Sequence, residues 1–136
     1  MVHDNHKSFI NVKTIRQYYS IRATPEEVFM ALTNPLTIEL WSGYPAEMDA
    51  KEGTEFSIFE GEISGRNIKV IPGQQLIQEW YLGENPEKSI VTINLTFSKN
   101  KTKVELLHTN VPEEVYEEFE EGWKEYYWNA IIYYFK

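Results

Sequence analysis

The chain has 136 residues, 42% of them hydrophobic and 15% aromatic, enough for one domain with a substantial core. A formal net charge of −8 argues against nucleic acid, whose binding rests on a basic surface, and zero cysteines exclude disulfides, thiol catalysis and thiolate metal sites. No apolar run could span a membrane and no signal peptide opens the chain, so a cytoplasmic location is expected.

Residues 1–8 read as a flexible polar leader, and 9–136 as a single domain. His3 and His6 have suggestive spacing, but no His/carboxylate cluster supports a closed site, so no metal and no cofactor is expected. Phe9 to Arg22 is rich in β-formers and predicts a first strand. Thr24-Pro25-Glu26-Glu27 combines an N-cap, a first-turn proline and a capping-box glutamate, and so starts a short helix. Asn34-Pro35 stops it and starts a second, to about Leu40.

After the loop Trp41 to Pro45, turn signals divide the chain into strands at about 46–50, 54–60, 62–71, 75–82, 88–98 and 102–109. Tight turns at Gly53, Gly61, Pro72-Gly73, Asn85-Pro86 and Lys99-Asn100-Lys101 make neighbours antiparallel. Val91, Ile93, Leu95 and Phe97 alternate with polar residues, as do Val104, Leu106 and His108, so one face is covered and the other wet. Seven strands would make a sheet roughly 30 Å wide.

The last stretch, Val111 to Lys136, predicts a long helix with Pro112 in its first turn and six glutamates from Glu113 to Glu121 near its N-terminus. At steps of about 100°, Val115, Tyr116, Phe119, Gly122, Trp123, Tyr126, Tyr127, Ala130, Tyr133 and Tyr134 share one arc roughly 140° wide. Trp128, Ile132 and Phe135 fall instead on the glutamate side, as an apolar stripe that packs on the N-terminal segment or an edge strand, or meets a partner or second copy. Gly122 signals close approach to the sheet, room for a ligand, or a bend.

Strand, two short helices, antiparallel strands and a long C-terminal helix describe an α+β helix-grip fold. Gly53-Thr54-Glu55-Phe56, Glu60-Gly61-Glu62-Ile63-Ser64-Gly65, Val70-Ile71-Pro72, Ile77-Gln78-Glu79-Trp80 and Gly122-Trp123 with Tyr126-Tyr127 follow in order. From Thr14 to Phe135 this resembles the activator of Hsp90 ATPase homologue family, within the START/Bet v 1-like (SRPBCC) superfamily, and most of all the C-terminal domain of the eukaryotic co-chaperone. The resemblance implies a curved antiparallel sheet wrapped around the C-terminal helix, with an apolar cavity between them. An Hsp90-type chaperone is the partner it implies.

The expected ligand-binding residues are Trp41, Phe56 (or Phe59), Trp80 (or Tyr81), His108, Phe119, Trp123, Tyr126 and Tyr127. Such a set is either plain core or the lining of a pocket for a small hydrophobic or amphipathic molecule, with tyrosine hydroxyls offered to ligand or water. One of Gln78 and Glu79 faces inward. An inward Glu79 beside His108 would be the best acid/base pair available to a cyclase- or hydrolase-like enzyme. Walker, dinucleotide-binding and nucleophile-elbow motifs are absent. A non-catalytic ligand-binding module, monomeric or homodimeric, is the leading expectation; a co-chaperone-like interaction module is the alternative.

Overall fold

The structure, a computed structural model, describes residues 11–83 and 88–136. The expected leader at 1–8, with His3 and His6, and the turn at Asn85-Pro86 lie outside the described residues. The first strand, β1, is Val12–Ile21. Thr24 then caps α1 (Pro25–Thr33): its hydroxyl accepts from the Glu27 backbone N–H at 3.1 Å, and its own N–H donates to the Glu27 carboxylate at 2.9 Å. Asn34 caps α2 (Pro35–Ser42) through its side-chain oxygen, and Gly43, at φ 87°, ends that helix in the left-handed conformation.

Five further strands follow: β2 (Glu55–Ile58), β3 (Ile63–Ile71), β4 (Gln75–Trp80), β5 (Ser89–Ser98) and β6 (Lys101–Pro112). They form a six-stranded antiparallel sheet in the order β1-β6-β5-β4-β3-β2. The strand expected at 46–50 does not form. Only Glu47 bridges to Ser57, because side chains capture the backbone beyond it: Asn67 Nδ2 donates to the Asp49 carbonyl at 2.9 Å, and Thr54 Oγ1 to that of Lys51 at 2.6 Å. Pro112 is not in the helix either; it ends β6 opposite Val12, and the Glu113 N–H extends that pairing to the Asn11 carbonyl.

The alternation places Val91, Ile93 and Leu95 of β5, and Val104, Leu106 and His108 of β6, on the covered face. Across that face lies the C-terminal helix, α3, over residues 113–134. It opens with a 3₁₀ turn (Glu113–Val115), continues as α-helix (Tyr116–Gly122), widens to a π-helical segment (Trp123–Trp128) and closes as α-helix (Asn129–Tyr134). The curved sheet and this helix make an α+β helix-grip fold.

The π segment corrects the helical wheel. A π turn closes on i→i+5 and takes up an additional residue, so every later side chain is retarded by about 100°. Trp128, expected either to pack on the N-terminal segment or an edge strand or to meet a partner, is fully buried and stacked on Tyr19 of the edge strand β1 at 5.5 Å between centroids. Ile132 and Phe135 pack half-buried against the core, and Ile131 moves to its centre. Tyr126 and Tyr133, placed inward by a straight helix, are 72% and 76% exposed. The proposed partner stripe is thus the continuation of the core face after the change of phase.

Candidate functional site: an aromatic cleft between sheet and helix

A cleft of about 730 Å³ opens between α3 and the β2–β4 side of the sheet, within the usual range for small-molecule sites. Trp80 supplies its floor from β4, where strand parity points Leu76, Gln78 and Trp80 inward. Phe119, Trp123 and Tyr127 line it from α3, and Trp41 reaches it from α2. These rings touch in sequence: Trp80 stacks on Trp123 at 4.6 Å, Trp123 meets Tyr127 at 4.6 Å, and Tyr127 meets Trp41 edge-on at 5.0 Å. Phe59 closes the row 5.9 Å from Trp41. It reaches this point because Phe59 and Glu60 take positive φ in the β2–β3 turn.

Six of the expected ligand-binding residues line the cleft: Trp41, Trp80, Phe119, Trp123, Tyr126 and Tyr127. Two do not. Phe56 is buried behind the wall, packed so closely on Gly65 that a Cβ there would lie 2.9 Å from its ring, and Phe59 stands in the lining instead. His108 is fully buried behind Trp80 and Trp123.

His108 is held in one protonation state. An indole N–H can only donate, so Trp123 Nε1 donates to His108 Nδ1 at 2.9 Å, which leaves the ring proton on Nε2. That N–H donates to Ser89 Oγ at 2.6 Å, and the Ser89 hydroxyl passes on to the Thr109 carbonyl at 3.3 Å. Burial pushes the imidazole pKa down from 6.5 to about 3, so the ring stays neutral. Both nitrogens are committed, and neither faces the cleft.

The acid/base pair with Glu79 is not formed. Gln78 is the inward residue and Glu79 lies on the opposite face, 3.5 Å from Arg66 Nη2. Gln78 continues a second buried relay: Trp80 Nε1 donates to Gln78 Oε1, Gln78 Nε2 to Asn67 Oδ1, each at 2.9 Å, and Asn67 Nδ2 to Asp49. Trp41 Nε1 likewise donates away from the cleft, to the Ala31 carbonyl at 2.8 Å. The indole donors of the wall are thus all turned to the interior.

What remains uncommitted faces the opening. The Tyr127 hydroxyl, on a side chain 4% exposed, bonds to none of the described residues, and burial raises its pKa. Glu62, Glu118 and Glu125 stand at the lips with Tyr44 and Tyr126, and these carboxylates were not anticipated from sequence. Their signal was present: Glu118, Gly122 and Glu125 follow i, i+4, i+7 spacing around a residue without a side chain. A Cβ on Gly122 would meet nothing within 4 Å, so this glycine leaves room in the cleft and marks no close approach to the sheet. Among the described residues no group of three His, Asp or Glu could hold a metal ion, and no helix is long and apolar enough to cross a membrane.

The sequence profile for "Activator of Hsp90 ATPase homolog 1-like protein" matches residues 22–136, which takes in both short helices, five strands and all of α3. The chain belongs to this family. The human activator of 90 kDa heat shock protein ATPase homolog 1 is 27% identical over 110 residues, which are 79% of this chain and 32% of that protein. The Dictyostelium discoideum homolog is 29% identical over 116 residues, 82% of this chain and 30% of that protein. The chain therefore spans about a third of the curated relatives it matches. Among solved structures, an HSP90 activator from Plasmodium falciparum superposes with a TM-score of 0.79 at 27% identity, covering 87% of this chain and 92% of that one. An Aha1 dimer from Colwellia psychrerythraea shares the fold, with a TM-score of 0.75 at 21% identity and coverage of 86% and 92%.

Proposed function

We propose that this activator-family domain holds a small hydrophobic or amphipathic molecule in the cleft between sheet and C-terminal helix, as a binding module and not as an enzyme. One observation carries this reading. Behind the aromatic wall the Trp41, Trp80 and Trp123 N–H groups, Gln78 and His108 all have protein partners, whereas the Tyr127 hydroxyl lines about 730 Å³ of space and bonds to none of the described residues. That hydroxyl opens onto the cleft, where a ligand atom would pair it. The test is native mass spectrometry of the purified protein, with titration of the four tryptophan indole N–H signals by amphiphiles. A co-purified molecule, or saturable shifts at Trp80 and Trp123, is expected. If neither is seen, the cleft is a packing feature only.

A second reading, as a partner of an Hsp90-type chaperone, is favoured by the names of the relatives. With Trp128 buried, the acidic outer half of α3 is the surface left for docking. This reading expects the protein to change the ATPase rate or the sedimentation of such a chaperone; no change in either would refute it. Residues 9–136 are assigned to one domain and to the cytoplasm. Sedimentation of the protein alone would separate monomer from homodimer.

A further inference from the structure

The cleft has a charge and donor pattern that selects among amphiphiles. Three carboxylates stand at its mouth, Glu118 and Glu125 on one lip and Glu62 on the other. None is neutralised: the ion pairs among the described residues are Lys13–Glu113 and Arg66–Glu79. The described lining contains no Lys, Arg or His. The three indole N–H groups of the wall, which an anion would need, donate instead to Ala31, Gln78 and His108. What the wall offers is aromatic ring surface, which attracts cations and is strengthened where water is excluded. A second recess of about 480 Å³ at the β5–β6 hairpin end sets three cations, Arg22, Lys99 and Lys101, against one carboxylate, Glu27, so the acidity of the cleft is local and not merely that of the whole chain.

Resting on the ligand-binding reading above, we propose that the cleft is a site for a small organic cation: an apolar or aryl body that enters the aromatic row and carries an ammonium or quaternary ammonium group held at the Glu62, Glu118 and Glu125 mouth. Gly122 sits between the two helical carboxylates and keeps the entrance open, while the Tyr127 hydroxyl takes a polar atom of the linker. Long-chain carboxylates are disfavoured, since their head group would meet carboxylates and find no N–H donor.

The test compares three probes with one phenylbutyl body, carrying a trimethylammonium, a hydroxyl or a carboxylate group, titrated against the indole N–H signals of the wild-type protein. The trimethylammonium compound is expected to bind about tenfold more tightly than the alcohol, and the carboxylate more weakly than the alcohol. The advantage should shrink in high salt. It should also shrink severalfold in the Glu118→Gln/Glu125→Gln variant, but not in Glu114→Gln/Glu117→Gln, which removes the same charge from exposed positions outside the lining. Equal binding of all three, or a loss of preference as large in the second variant as in the first, would overturn the cation class and leave the cleft as an unselective amphiphile site. No saturable shift with any probe would remove the cleft reading itself, and this proposal with it.

Discussion

The two sides of one aromatic layer obey different rules. Behind Trp80 and Trp123 their own two indole donors meet acceptors: one relay runs through Gln78 and Asn67, the other through His108 and Ser89. In front of the same rings lie open volume and, among the described residues, a hydroxyl without a partner and three unpaired carboxylates. The residue types barely differ between the two sides, since both are built from Trp, Tyr, Phe and a few polar groups. With Trp128 Nε1 as the exception, the core side is marked by polar groups satisfied from within and the cleft side by groups left open, because an unmet buried donor costs more than a met one contributes.

The largest expected effect tests which residues belong to the closed side. Trp128→Ala should cost about 3–5 kcal/mol in urea unfolding, because the buried ring is stacked on Tyr19 and Trp123. Its Nε1 has no hydrogen-bond partner among the described residues, so ring packing fixes it. Tyr126→Ala, 72% exposed at the rim, should change stability by under about 1 kcal/mol. A straight α-helix predicts the reverse order, so the pair measures the π segment directly.

His108 tests the closed side through pH. Its folded pKa, about 3, lies below the ordinary 6.5, so as pH falls the unfolded chain takes up a proton that the folded one refuses. Its contribution is complete above about pH 6.5 and is lost progressively down to about pH 3. Between pH 7 and 5 the loss should be roughly 2 kcal/mol, set by the unfolded-state titration. His108→Gln should remove that increment from the wild-type stability curve, while the carboxylate titrations common to both proteins cancel. Curves that run parallel between pH 7 and 5 would mean that the imidazole is hydrated.

How much of this was legible depends on how local the cause is. The capping box at Thr24–Glu27, the alternation of β5 and β6 and the aromatic run of α3 are written within a few residues each, and they point to the helix-grip fold. The end of pairing after Glu47 was not, because it depends on Asn67, 18 residues beyond Asp49 in sequence. The π segment left an indirect trace: two apolar arcs on one helix, the second led by Trp128, Ile132 and Phe135, that no single α-helical phase could bury together. An exposed stripe was one resolution of that conflict, and a change of phase was the one the fold adopts. At the cleft, the neighbours at 77–80 left Gln78 and Glu79 equivalent until strand parity was anchored by Trp80, and Trp80 needed Trp123 across the sheet–helix gap.

The smallest effects on stability belong to the open side. Gly122→Ala should stabilise the helix by up to about 1 kcal/mol, since its φ of −62° suits alanine and the new methyl meets nothing within 4 Å. The same methyl enters the cleft between Glu118 and Glu125, so amphiphile affinity should fall while the unfolding midpoint rises. Tyr127→Phe goes further in separating the two sides. Removing a hydroxyl from the interior usually costs about 1 kcal/mol because a partner is stranded. Here none is stranded, so stability should stay within about 0.5 kcal/mol of wild type, or rise slightly. Binding of a trimethylammonium probe with an ether oxygen in its linker should weaken severalfold, while binding of the all-carbon phenylbutyl analogue should not. A loss of stability without a loss of binding would assign Tyr127 to the closed side, with a buried water as its hidden partner, and would move the boundary between core and site outward to the rim.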